Sequence, residues 1–165
     1  MSLRIFHAIW LVTLSVFLAS LAIILGVLYN YFSDVQRNQL RIETQLAARG
    51  VEMNGTSFFD NFQEDDYRIT WITAGGSVLY DNEADTAVME NHLEREEVRS
   101  ALETGYGQSI RYSDTLLQES LYAAQQLPDG TVVRLSASRS SILNLMLDMA
   151  GNILLVVAVA VILSY

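Results

Sequence analysis

The sequence predicts an α+β domain with an antiparallel sheet, carried between two membrane-spanning helices. Two observations lead there. Two apolar runs, 5–27 and 143–165, bracket a polar, acidic middle of about 110 residues, and a chain of 165 residues that spends most of its length on a polar middle cannot bury two such helices in a soluble core. Within the middle, short stretches of alternating polarity bounded by turn residues occur as a pair, then a helical stretch, then three more, which is the pattern of an α+β fold.

The first run has no ionised side chain and holds fourteen Leu, Ile, Val or Phe residues. Roughly 20 apolar residues cross a bilayer as a helix, and at about -0.3 to -0.6 kcal/mol each these favour insertion by several kcal/mol. We assign 1–8 as the N-terminus and 9–31 as the first membrane helix. A cleaved signal peptide fits less well than an uncleaved anchor. The apolar core is too long, its basic flank is only Arg4 and the amino terminus, and Ala19-Ser20-Leu21-Ala22 is a loose cleavage pattern.

Residues 32–66 read as a stalk helix and loop. Phe32, Val35, Ile42, Leu46 and Met53 fall near one helical face, with Gln39 filling the gap. Such a stripe requires a partner, which is either the chain's own domain or the matching stripe of a second copy. Asn54-Gly55-Thr56 breaks the helix. The run Glu64-Asp65-Asp66 lacks the alternating oxygen ligands, central Gly and distal Glu of a calcium loop, and reads as a solvated turn.

The domain proper is 67–140. Residues 67–73 and 77–81 form a hairpin about Ala74-Gly75-Gly76, with Ile69, Trp71, Val78 and Tyr80 on one face. A helix follows, with Asn91 and Glu94 in capping spacing, Met89, Leu93, Val98 and Leu102 as its apolar side, and Gly105 as its end. Strands at 108–112, 121–127 and 131–137 complete a five-stranded antiparallel sheet, the last two joined at Pro128-Asp129-Gly130, with helices covering one face. In the second apolar run, 142–165, an Asp at mid-bilayer would cost about 3 kcal/mol, which puts Asp148 at the interface. A span of about 20 residues counted from Met149 then runs past Tyr165, so we expect an incomplete helix and a chain that is a fragment.

Composition and motifs exclude several chemistries. There is no Cys, and between 33 and 140 eighteen acidic side chains face nine arginines, so nucleic acid is disfavoured as a partner. His92 is the one histidine of the middle region; it has no nucleophile to activate and no second histidine at zinc spacing. Gly105-Tyr106-Gly107 lacks the third glycine of a dinucleotide loop and follows a helix. We therefore predict no catalytic residue, no metal ligand and no cofactor in this chain. Arg111 and Arg134 lie within strands, where each side chain must point to solvent, pair with a carboxylate such as Asp81 or Glu119, or meet a ligand. Asn91, His92, Arg95 and Glu97 follow the hairpin closely enough to tie a loop to the sheet, as caps or as ligand contacts.

One ordered set of short motifs carries a resemblance: Tyr67-Arg68-Ile69-Thr70, Gly76 to Asp81, Met89-Glu90-Asn91-His92, Arg95-x-Glu97, Ala101-Leu102, Gly105-x-Gly107, Arg111-x-Ser113 and Leu121-Tyr122-Ala123. Over about 67–137 the chain resembles the extracytoplasmic sensor of phosphate-response-type sensor histidine kinases of Gram-positive bacteria. The resemblance implies a PAS-like or Cache-like fold in which Asp81, Asn91, Glu97, Gly105 and Ser113 are structural positions. It also implies a two-pass protein with the sensor outside and both termini cytoplasmic; if such a protein is a homodimer, Phe32, Val35, Ile42 and Leu46 of the stripe are the candidate dimer stalk. In that family a HAMP linker, a phospho-accepting His helix and an ATP-binding domain follow, so ATP and a response regulator are expected only for the missing kinase part. Glu96 departs from the family, which often has Pro there, and neither His7 nor His92 resembles the phospho-acceptor. The expected function is signal input to a sensor histidine kinase. The alternatives are a stand-alone membrane-anchored binding module, or the input domain of a chemoreceptor or cyclase. A ligand pocket is expected on the sheet face opposite the long helix, near Arg111, Tyr122, His92 and Arg95.

Overall fold

A computed structural model describes residues 2–61, 67–113, 118–138, 151–153, 155 and 157–159. The acidic run 64–66, Asp148 and most of the expected second membrane helix lie outside the described residues. The chain divides into two compact units, Met1–Val35 with Ile142–Tyr165, and Gln36–Ser141.

Helix α1 spans Ser2–Asn54. It contains no proline, and four of its hydroxyl side chains bond back within the helix: Thr13 to the Ile9 carbonyl, Ser15 to Leu11, Ser33 to Tyr29 and Thr44 to Leu40. An apolar helix can carry such side chains because their donors are satisfied internally. Among the described residues one helix is long and apolar enough to cross a membrane; its most apolar window has a mean hydropathy of 2.7 and none of it is buried.

In the second unit, strands β1 (Arg68–Ile72), β2 (Val78–Asp81), β3 (Tyr106–Ser113), β4 (Gln118–Gln126) and β5 (Val132–Ser138) form one antiparallel sheet in the order β2-β1-β5-β4-β3. This is the predicted α+β architecture with five antiparallel strands and a long N-terminal helix. The β1–β2 register shifts between Trp71 and Ile72, so Val78 pairs with Ile72 and does not continue the Trp71–Tyr80 row expected for it. The β4–β5 turn is as predicted: the Gly130 amide donates to the Leu127 carbonyl, Gly130 has φ 85°, and Asp129 accepts from the Thr131 amide and hydroxyl.

Helix α2 covers Glu96–Thr104 and ends at Gly105 in the left-handed region, φ 89°. It begins later than the pattern from Met89 predicts, and Asn91 caps no helix. The reason is a competing set of bonds. The Asn91 amide group donates to the Gly75 carbonyl, Asn91 Oδ1 accepts from the Leu93 amide, and the His92 amide donates to the Gly76 carbonyl, so this segment is laced to the hairpin turn.

The sheet is covered on both faces, where the sequence suggested one. Paired residues of an antiparallel ladder share a face. Ile69, Leu121, Ala123, Val133 and Leu135 pack with Leu40, Ala47, Ala48, Val51 and Phe59 of α1 and the 3-10 turn that follows it, Gly55–Asn61. Ile72, Ala124 and Val132 pack on the other face with Val98 and Ala101 of α2. The α1 face that does this packing is not the predicted stripe. Val35, Ile42, Leu46 and Met53 are exposed, Met53 at 81%. The small side chains of Ala47 and Ala48 allow a closer approach to the sheet than the branched stripe would, so the stripe does not pack on its own domain.

Candidate functional site

The α2 face of the sheet carries a polar row built by strand pairing. Ser109 opposes Tyr122, Tyr122 opposes Ser136, Arg111 opposes Ser120, and Arg134 lies between Ala124 and Thr70. Alternation along β3, β4 and β5 therefore puts Ser109 and Arg111, Ser120 and Tyr122, and Arg134 and Ser136 on one side. Here α2 comes very close. A Cβ on Gly107 would collide with the Glu97 carbonyl and the Ala101 amide, so the absence of a side chain is what lets the helix sit against β3.

That approach delivers Glu97, in the first turn of α2, to the centre of the row. Its carboxylate is fully buried and accepts from Ser109 Oγ at 2.5 Å, Arg111 Nη2 at 2.5 Å and Arg134 Nε at 2.9 Å. The Tyr122 ring lies beneath both guanidiniums, 4.3 Å from that of Arg111 and 4.5 Å from that of Arg134. Arg134 Nη1 reaches the Thr70 hydroxyl at 3.4 Å, and Thr70 donates to Asp81 Oδ2 at 2.8 Å. Asp81 also accepts from Arg68 Nε and from the amides of Glu83 and Ala84. One hydrogen-bonded line thus runs across the sheet from Arg111 on β3 to Arg68 on β1.

Electrostatics follow from these partners. Burial by itself would raise the Glu97 carboxyl, but the bonds from Ser109 and Arg111 and the charge of Arg134 outweigh it and bring it down to about 2. Asp81 is likewise held below the ordinary carboxylate range, burial being overcome by Arg68, the two backbone amides and Thr70. His92 is buried, with Nδ1 donating to the Glu90 carbonyl at 2.7 Å. Burial lowers its pKa, and the positive charges of Arg134 and Arg95 act in the same direction.

Of the sequence candidates, Arg111 and Tyr122 are brought together on the face opposite α1. Arg134 is ion-paired to Glu97, not to Asp81, and the Glu119 side chain lies outside the described residues. Among the described residues His92 and Arg95 make no hydrogen bond to the row; Arg95 is the N-cap residue of α2 and makes no side-chain cap bond. Gly105 ends α2 and Asn91 laces the hairpin, both structural. Ser113 is in β3, with its side chain outside the described residues. Sequence reasoning missed Ser109, Ser120 and Ser136, and read Glu97 as one of a cluster tying a loop to the sheet, by capping or ligand contact, where it is the hub of the row. The signal available was the i, i+2 spacing of polar residues in three successive strands. No group of three or more potential metal ligands exists among the described residues. A hollow of about 320 Å³ lies on the α1 side, lined by Gln45, Ala48, Arg49, Glu52, Gln125, Gln126, Leu127 and Pro128, and none of the sequence candidates borders it.

No protein-family model and no curated protein matches the chain. Among solved structures it is similar to the YkuI protein of Bacillus subtilis, a protein with an EAL domain crystallised with its substrate c-di-GMP and calcium. The identity is 9% and the TM-score 0.33, over 68% of this chain and 36% of that one. The chain thus spans little more than a third of that protein's length, and a likeness of this size carries no argument about activity.

Proposed function

We propose that the chain is the signal-input portion of a transmembrane sensor histidine kinase, with a PAS-like or Cache-like domain outside the membrane. The observation that carries the reading is that one helix, Ser2–Asn54, holds both an unburied apolar run long enough to span a bilayer and the face that packs the sheet. A cue that changed how the sheet seats on α1 would act on the same helix that enters the membrane. Such a cue shifts the balance between two packings only by its difference in affinity for them. The apolar residues left exposed at Val35, Ile42 and Leu46, together with Phe32, support a homodimer with this stripe as its seam. In this reading the second membrane helix is 142–165, both termini are cytoplasmic, and ATP and a response regulator are met by a kinase part outside this chain.

Fusing residues 1–165 to the HAMP and kinase part of a transmembrane histidine kinase tests the proposal. Deleting the domain 67–140 from the fusion should change basal autophosphorylation or abolish its response; identical activity with and without the domain would overturn it. A stand-alone membrane-anchored binding module is the second reading, favoured by the polar sheet face, and the same fusion separates the two.

A further inference from the structure

We propose that the end of the α2-side sheet face beyond Glu97 is a binding site for a small oxyanion, a carboxylate- or phosphate-bearing molecule, centred on Arg111 with the hydroxyls of Ser120, Tyr122 and Ser136. The inference deepens the sensor reading by giving the chemical class of the cue.

The charge count is the starting point. One buried carboxylate, Glu97, serves two guanidiniums, Arg111 and Arg134, so among the described residues these three side chains together carry one excess positive charge, in a protein whose net charge is -9. A guanidinium that shares its carboxylate with a second one keeps donors and charge for an anion. Arg134 is 5% exposed and cannot receive a ligand, whereas the Arg111 side chain keeps 31% of its surface. Arg111 uses only Nη2 toward Glu97 among the described residues, and a guanidinium has five N–H donors in a fork that suits an oxyanion.

The surroundings supply donors and orientation. Ser120 opposes Arg111 across the β3–β4 ladder, and Ser136 opposes Tyr122 across the β4–β5 ladder, so three hydroxyls share the face of the guanidinium. All three residues are half-buried. The Tyr122 ring below Arg111 and the Glu97 carboxylate beside it hold the guanidinium in place, so little side-chain entropy is lost on binding. Helix α2 covers Gly107 and Ala124 at the other end of the same face.

Equilibrium dialysis of the full chain in lipid nanodiscs, in low-chloride buffer, against radiolabelled inorganic phosphate and separately acetate tests this. Saturable binding of at least one of the two, at one site per chain, is expected: phosphate alone indicates a phosphate-bearing ligand, and acetate a carboxylate-bearing one. Arg111→Lys keeps the charge beside Glu97 but loses the fork and should weaken binding by about tenfold, as for the loss of a charge-assisted pair. Ser120→Asp, which puts a negative charge opposite Arg111 on the neighbouring strand, should abolish it, and Arg37→Gln on the exposed side of α1 should leave it unchanged. No saturable binding of either anion, or equal binding by wild type and Arg111→Lys, would overturn the site. That failure would leave the signal-input reading standing, because the kinase fusion reports on it separately.

Discussion

Glu97 shows how one side chain can organise a face. Its carboxylate joins three strands and a helix, because Ser109 and Arg111 are on β3, Arg134 is on β5, and Arg134 leads to Thr70 on β1. Replacing one partner of a buried pair leaves the others uncompensated, so Glu97→Gln should lose about 3–5 kcal/mol in urea unfolding of the nanodisc-held chain. Acid should act through the same groups. Glu97 at about 2 and Asp81, also lowered, contribute stability that is present above their unfolded values near 4 and is lost as pH falls through the folded ones. His92 is lowered as well, so the unfolded chain takes its proton first and stability begins to fall once pH drops below about 6.5. Melting followed from pH 8 to pH 3 should therefore decline in two stages, and His92→Gln should remove the earlier one. A melting temperature that rose on acidification from pH 7 to 5 would contradict this account.

At the scale of elements, the seating of α2 and α1 sets the outcome. Gly105 and Gly107 lie two residues apart and matter for different reasons. Gly105→Ala meets open space and suffers only from its positive φ, a loss of about 1 kcal/mol. Gly107→Ala must push α2 off β3, so its larger loss of unfolding free energy should come with loss of the Glu97 bonds, visible as a shifted Tyr122 ring signal by NMR. On α1, Leu40 is 1% exposed against the sheet and Leu46 is 56% exposed. Leu40→Ala should destabilise the domain by about 2–5 kcal/mol. Leu46→Ala should leave the domain's unfolding nearly unchanged and lower only self-association, measured by sedimentation in detergent. The strands were legible in the sequence because alternation and turn residues are local. The start of α2 was not, since it depends on Asn91 and His92 bonding to Gly75 and Gly76, residues far back along the chain.

For the whole molecule, the unburied apolar run of α1 predicts that the chain stays with the membrane fraction after alkaline carbonate washing and is released only by detergent. Release without detergent would remove the basis for the signalling proposal. The unit Gln36–Ser141 is acidic, yet the α2-side face of its sheet concentrates arginine. Both facts are visible in composition and strand spacing, but their juxtaposition is a property of the fold.

The sequence by itself determined the apolar run, the five strands, the Gly105 and Gly130 turns and the α+β class, because each depends on residues close together along the chain. Tertiary structure alone decided which face of α1 is buried, that helices cover both faces of the sheet, and that Glu97 is the partner of Arg134. Those outcomes depend on which surfaces fit at close range and on where a buried guanidinium finds a carboxylate, and neither is written in the spacing of one segment.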